Sequence, residues 1–247
     1  MRTALISGGT RNIGLGIARR LGADGFRVAI TSRSPDALDE AVAVLVADGV
    51  DAFGVHGDIT DEASVQSMTA DVINRTGGID VLVNNAAARH HGALPDTSLA
   101  DWQKVLATTL TGAFLMTRAV IPGMTARSWG RIVNIAGVSG QRGAEHRPAL
   151  VAAKAGLIGL TKATALEFAA SGVTANAVSP GLIDTQRSAS LGDAAIATEH
   201  YRQQLLEVPV GRLGRPEEVA GLCSYLCSDG AGFVTGQVLG INGGIYT

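Results

Sequence analysis

The sequence predicts one α/β domain spanning residues 1–247, with a doubly wound, seven-stranded parallel sheet flanked by helices. Three observations lead there. Short apolar runs alternate with longer amphipathic stretches along the chain. The short runs are continuously apolar, as strands covered on both faces must be. At 247 residues and 46% hydrophobic, the chain can bury one large core. No linker, low-complexity tract or tandem repeat divides it.

The elements follow in order. A first apolar run at residues 3–7 ends in the glycine-rich turn Ser7-Gly8-Gly9-Thr10-Arg11-Asn12-Ile13-Gly14, which opens a helix over 14–24. Strand 27–31 is followed by helix 35–48, strand 52–57 by helix 61–76, and strand 81–84 by helix 99–125. Strand 131–135 leads to helix 150–171, then come strand 173–178, helix 216–228 and strand 238–241. Between the last two strands lies an irregular stretch, 184–213, containing Ser188-Ala189-Ser190-Leu191-Gly192-Asp193. A connection this long in a compact domain is usually functional, so it is expected to form a substrate lid, with Tyr201 and Arg202 placed to reach a polar group.

Charge and cysteine usage exclude several classes. A formal charge of −2, with basic residues scattered rather than striped, gives no attraction for nucleic acid or acidic membranes. No window reaches the roughly 18 uninterrupted apolar residues of a membrane span. The N-terminal residues run straight into the glycine turn without a signal-peptide pattern, so a cytoplasmic location is expected. Cys223 and Cys227, four apart in a helical segment, read as buried packing residues rather than ligands. His90-His91 alone is too short a signature for zinc, and no metal site is expected.

The glycine turn carries the first functional signal. It lies between a strand and a helix, where backbone N–H groups and the helix dipole can meet a diphosphate, and glycines permit the close approach. With the later motifs it resembles the short-chain dehydrogenase/reductase family. Asp58-Ile59 resembles the adenine-contacting pair, and Asn84-Asn85-Ala86-Ala87 the Asn-Asn-Ala-Gly segment. Ser179-Pro180-Gly181-Leu182-Ile183-Asp184-Thr185 resembles the turn that holds the nicotinamide. Residues 211–218, with Thr235-Gly236-Gln237 and Asn242-Gly243-Gly244, are similar to the 3-oxoacyl-acyl-carrier-protein-reductase-like branch.

The likeness covers essentially the whole chain. It implies a Rossmann-type domain that holds its dinucleotide through Gly8, Thr10, Arg11, Asn12, Ile13, Gly14, Ser32, Arg33, Asp58, Ile59, Asn84, Ala86, Lys154, Pro180, Gly181, Ile183 and Thr185. Asn12 stands where the family has a second glycine, and asparagine readily takes the positive φ such a turn needs. At the end of the second strand, Ser32 replaces the acid that would repel a 2′-phosphate, with Arg33 beside it and Arg11 approaching from the turn. Two guanidiniums around a small hydroxyl suit a phosphate, so NADP(H) is expected over NAD(H).

The resemblance also implies a chemistry. Hydride passes between nicotinamide and a carbonyl or alcohol carbon, while a tyrosine, sharpened by a lysine four residues on, moves the proton. A serine orients the substrate oxygen and an asparagine supports a water relay. Lys154 matches the lysine, but the tyrosine position is Leu150, the serine position Gly137 and the asparagine position Thr109. Shifting the alignment does not help, because the three tyrosines are Tyr201, Tyr225 and Tyr246.

Substitutes lie nearby in sequence. Ser139 follows Gly137 by two residues, and the loops holding Arg89-His90-His91 and Glu145-His146-Arg147 fall at the carboxyl end of the sheet, where ligands of open α/β sheets bind. Histidine is a competent donor near neutral pH, and His146, then His91, are the expected replacements, against the plainer reading of solvated loop side chains. The leading expectation is an NADP(H)-dependent oxidoreductase with an atypical proton donor, acting on a small carbonyl or alcohol. Two alternatives stand beside it: a catalytically inactive, cofactor-binding subunit paired with an active homologue, and a non-redox enzyme on the same scaffold. The family resemblance further implies a homodimer or homotetramer built through 99–125 and 150–171. Trp102 and Trp129, which flank the first of these helices, are expected to pack or lie at an interface.

Overall fold

The structure, a computed structural model, describes residues 1–185, 203 and 205–247. Strand β1 (Thr3–Ser7) enters α1 (Asn12–Ala23) through the glycine turn, and β2 (Arg27–Ser32), α2 (Pro35–Ala47), β3 (Ala52–His56) and α3 (Glu62–Thr76) follow. Then come β4 (Val81–Asn84), α4 (Leu99–Leu106), α5 (Gly112–Ala126) and β5 (Gly130–Ile135). The short helix α6 (Ser139–Arg142), α7 (Pro148–Phe168), β6 (Val173–Pro180), α8 (Pro216–Cys227) and β7 (Val238–Ile241) complete the described elements.

All seven strands are parallel, in the order β3-β2-β1-β4-β5-β6-β7. The doubly wound expectation is met. Strand order reverses between β1 and β4, and a crevice opens beyond the carboxyl ends of strands at such a point. Register there brings Ser7 opposite both Thr31 and Asn84.

Successive strand residues serve opposite faces. Ala4, Ile6, Val81 and Val83 pack under α1, α2 and α8, against Ile17, Leu38, Leu45 and Val219. Leu5 and Leu82 face the other way, toward Met68, Leu115 and Met116 of α3 and α5. Burial on both faces explains why the strands read as continuous apolar runs rather than alternating ones. Local caps fix the helix starts: Ser34 Oγ accepts from Ala37 N–H at 3.4 Å, Asp61 from Ala63 at 3.0 Å, and Ser98 from Asp101 at 3.0 Å.

The stretch read as one helix over 99–125 is not uniform. A π turn, Ala107–Thr111, separates α4 from α5. Such turns insert a residue into the helical ladder and often occur at functional positions. The segments Leu99–Ala126 and Pro148–Ser171 have a mean hydropathy of 1.4 over their most apolar windows, enough by composition to cross a bilayer. Both pack on the sheet, with 44% of each window buried, and leave Phe114 and Leu166 exposed on their outer sides. Cys223 and Cys227 are fully buried on the inner face of α8, and desolvation pushes the Cys227 thiol up to about 12. The guanidiniums of Arg2 and Arg131 lie over the Trp129 ring, 3.8 and 4.4 Å from its centroids, at the far end of the sheet from the crevice. Residues 186–202 and 204, which include most of the expected lid with Tyr201 and Arg202, lie outside the described residues.

Candidate active site

The glycines of the turn leave no room for a Cβ. Gly8 adopts φ +64°, and a Cβ on Gly14 would stand 2.3 Å from the Gly8 carbonyl oxygen. One on Gly9 would fall 2.5 Å from Ile30 Cγ2. Asn12, at the position of the expected second glycine, takes φ +51°. Among the described residues no side chain caps α1, and no acid occupies its first turn, so its opening N–H groups suit an external acceptor. A cradle that a single Cβ would fill, ending in uncapped amides, fits a dinucleotide diphosphate.

Asn85 holds this turn in place, a role the sequence alone did not reveal. Its Nδ2 donates to the carbonyls of Ser7 and Gly8 at 3.2 and 2.8 Å. Ser7 Oγ in turn accepts the N–H groups of Asn85 and Ala86 at 3.1 and 3.2 Å. The pair of asparagines at the carboxyl end of β4 was the available signal. Their neighbour Asn84 faces inward: it is buried, donating to Thr117 Oγ1 at 3.1 Å and Asn134 Oδ1 at 2.8 Å. It braces β4 to β5 and α5 beneath the crevice.

At the end of β2, Ser32 Oγ accepts from Ser34 N–H at 3.1 Å and Arg33 reaches outward. Arg33 NH1 stands 3.7 Å from Asp58 Oδ2. Burial raises the Asp58 acid, but hydrogen bonds from Thr60 and the Arg33 charge outweigh it and hold the carboxyl below its usual range. Arg11 is exposed on the first turn, while Thr10 and Ile13 are half-buried. Ile59 packs inward near Gly112, supporting the site from below.

The catalytic positions come from three elements. Lys154 lies on α7, almost fully buried, with Nζ donating to the Ile135 carbonyl. Burial, with Arg89 adding repulsion, pulls its ammonium down to about 7. One turn earlier, Leu150 is 6% exposed and packs with Val105, Ala149, Ala153, Trp102, Leu106 and Leu110. Thr109 lies in the π turn, its hydroxyl accepting from Ala88 N–H at 3.2 Å. Gly137 takes φ +132°, a conformation other residues rarely adopt. A Cβ there would meet Ser139 Oγ at 4.0 Å.

The two histidine loops are clasped together. Gly92 N–H donates to the His146 carbonyl at 2.9 Å, and the rings of His91 and His146 lie 5.7 Å apart, tilted by 32°. His146 holds φ +55°, and both side chains are exposed. His90 turns away, its Nδ1 3.6 Å from Asp101. On the opposite wall, the Pro180 carbonyl accepts from Val138 N–H at 3.1 Å, and Gly181 N–H donates to Ile241 O at 3.1 Å. Ile183 bridges to Gly214, and Thr185 follows, half-buried. No cluster of metal-ligating side chains forms among the described residues.

A switch-point crevice with a glycine cradle, and a lysine beside it on the helix after β5, defines a dinucleotide-dependent oxidoreductase scaffold. Residues 8–246 match the family model described as enoyl-(acyl carrier protein) reductase, and the chain belongs to the short-chain dehydrogenase/reductase family. Its relatives include the 3-oxoacyl-[acyl-carrier-protein] reductase of Aquifex aeolicus, 40% identical over 247 residues, covering 99% of this chain and 97% of that one. The acetoacetyl-CoA reductase of Cupriavidus necator is 39% identical over 250 residues, covering 99% of this chain and 98% of that protein. Among solved structures, a variant actinorhodin polyketide ketoreductase with NADPH superposes with a TM-score of 0.94 at 39% identity, covering 99% and 97% of the two chains.

Proposed function

We propose that the chain reduces a small ketone, or oxidises the matching alcohol, using NADP(H), with the proton carried by a group other than tyrosine. The observation that carries this reading is the coexistence of an intact glycine cradle with Leu150 one turn before Lys154. The cradle and the α1 amides would hold the diphosphate, while Arg33 beside Ser32, with Arg11 of the first turn, would receive a 2′-phosphate. The Pro180–Gly181 turn and Lys154 would flank the nicotinamide end. Bound there, the dinucleotide supplies or accepts hydride. Ketoacyl reductases among the relatives, one of them solved with NADPH, support both the substrate class and the cofactor.

The protein's own contribution is binding and orientation. Ser139, whose hydroxyl lies beside the serine position, would steer the substrate oxygen. Exposed Phe114 on α5 and Leu166 on α7 support the expected pairing of subunits through these helices. Turnover followed at the nicotinamide absorbance over a ketone and alcohol panel tests the reading, with calorimetry of NADPH and NADH beside it. Measurable ketone reduction with tighter NADPH than NADH binding is expected. Absence of turnover with binding intact would favour the second reading, an inactive subunit, which the apolar packing of Leu150 also supports. Co-purification with an active homologue would then be expected; a lone homo-oligomer would argue against it.

A further inference from the structure

We propose that Lys154 itself delivers the proton to the substrate oxygen, occupying by function the place of the missing phenol. The inference rests on the carbonyl-reductase reading above and deepens it. Lys154 and Leu150 share one face of α7, so the lysine head is the nearest proton-bearing group on that helix to the position a tyrosine would hold. An ammonium carries three N–H donors. One is spent on the Ile135 carbonyl, and no other protein acceptor is engaged among the described residues. No carboxylate forms an ion pair with it among those residues either.

The lysine is held firmly. A Cβ on Gly140 would stand 2.8 Å from Lys154 Cβ, so α6 lies directly against its stem. The alternative donors are less well placed: His91 and His146 sit in exposed loops, and Thr109 already accepts a backbone N–H. A buried cation with no counter-ion gives up its proton readily, and burial together with Arg89 brings the Lys154 amine to about 7. That value suits general acid work near neutral pH.

The step balances simply. The carbonyl carbon accepts hydride from the reduced dinucleotide, and its π pair moves to oxygen. That oxygen forms an O–H bond as one Nζ–H bond breaks. The carbonyl is reduced, the dinucleotide oxidised, and the neutral amine regains a proton from water. In the alcohol-oxidising direction the neutral amine is the base.

The test has two parts. The chain has three lysines, and Lys104 and Lys162 are exposed. Carbon-13 NMR of lysine-labelled, cofactor-free protein therefore resolves Lys154 against two references, with its signal assigned by loss in Lys154→Arg. A Lys154 midpoint near 7 supports the proposal; one near the ordinary lysine value of about 10.4 overturns it. In the second part, Lys154→Arg keeps a cation and N–H donors but cannot release a proton. Its turnover number, read at saturating NADPH so that any change in dinucleotide binding at this residue is separated out, is expected to fall by about 10²–10⁴. Turnover close to wild type in Lys154→Arg overturns the proposal while leaving the carbonyl-reductase reading intact. Wild-type protein inactive on every ketone retires both. If the arginine variant fails to fold, the NMR midpoint decides, with a substitution of Lys104 or Lys162 supplying the assignment.

Discussion

The hydroxyl oxygen of Ser139 stands 4.0 Å from the point that a Cβ on Gly137 would occupy. The two residues thus trade a side chain across one turn: the backbone at 137 has taken a conformation suited to glycine, and the hydroxyl enters from two residues downstream. Ser139→Ala is expected to lower kcat/KM by about 10²-fold, the scale of losing one donor to a developing oxyanion. Steady-state kinetics on the best ketone measures this. Gly137→Ser is expected not to compensate. At φ +132° a serine is strained by about 1–3 kcal/mol, which a thermal melt will register as a lowered Tm.

Phosphate preference is expected to rest on Arg33. Arg33→Ala should raise the Kd for NADPH by about 10–100-fold, the worth of a charge-assisted hydrogen bond. NADH, without the 2′-phosphate, should bind almost as before. Equal losses for both dinucleotides in calorimetry would show that Arg33 acts through its ion pair with Asp58 instead.

Gly14 offers a sterically stricter test. Gly14→Ala drives a methyl to 2.3 Å from the Gly8 oxygen, backbone that cannot yield cheaply. Dinucleotide binding should be lost and stability should fall by about 1–3 kcal/mol. Retained NADPH affinity in this variant would mean that the turn is not the diphosphate site.

Leu150→Tyr puts a phenol back one turn before Lys154. The larger ring is expected to cost about 1–3 kcal/mol against the packed cluster of Trp102, Leu106 and Leu110. Turnover should rise, by about tenfold or more if the hydroxyl reaches the substrate. Parallel melts and kinetics separate the two effects.

Lys154 also makes a stability prediction with a definite sign. Its folded pKa of about 7 lies below the unfolded value, so between the two the unfolded chain binds the extra proton and stability rises with pH. Below that window the buried charge weighs fully against the fold. Lys154→Met should therefore stabilise the fold most at pH near 6, by an amount on the order of 1–3 kcal/mol read as a raised Tm, and least toward pH near 10. A gain independent of pH would show that the amine is not desolvated.

Much of this architecture was legible because burial leaves a trace in composition. Strands packed on both faces, such as Ala4–Ile6 and Val81–Val83, have to be apolar at every position, and a turn that excludes any Cβ has to be glycine. Asn12 was readable for a different reason, since asparagine tolerates the positive φ that the turn imposes there. What escaped depended on partners distant in sequence. Asn85 acts on Ser7 and Gly8 across the β1–β4 pairing, and the Asn84 amide spans Thr117 and Asn134. Helix α6 has four residues, too few to show a period. The π turn leaves the hydrophobic pattern of 99–125 intact while altering the ladder beneath it. The clasp between Gly92 and His146 joins loops that no local rule connects.

Cys223 and Cys227, sealed beneath α8, turn the chain into its own unfolding reporter. Neither thiol can meet a water-soluble reagent until α8 peels from the sheet, and α8 packs on α1, the helix that opens with the cradle amides. The rate of thiol labelling therefore counts openings of the nucleotide half of the protein, and a dinucleotide that grips α1 should slow that count.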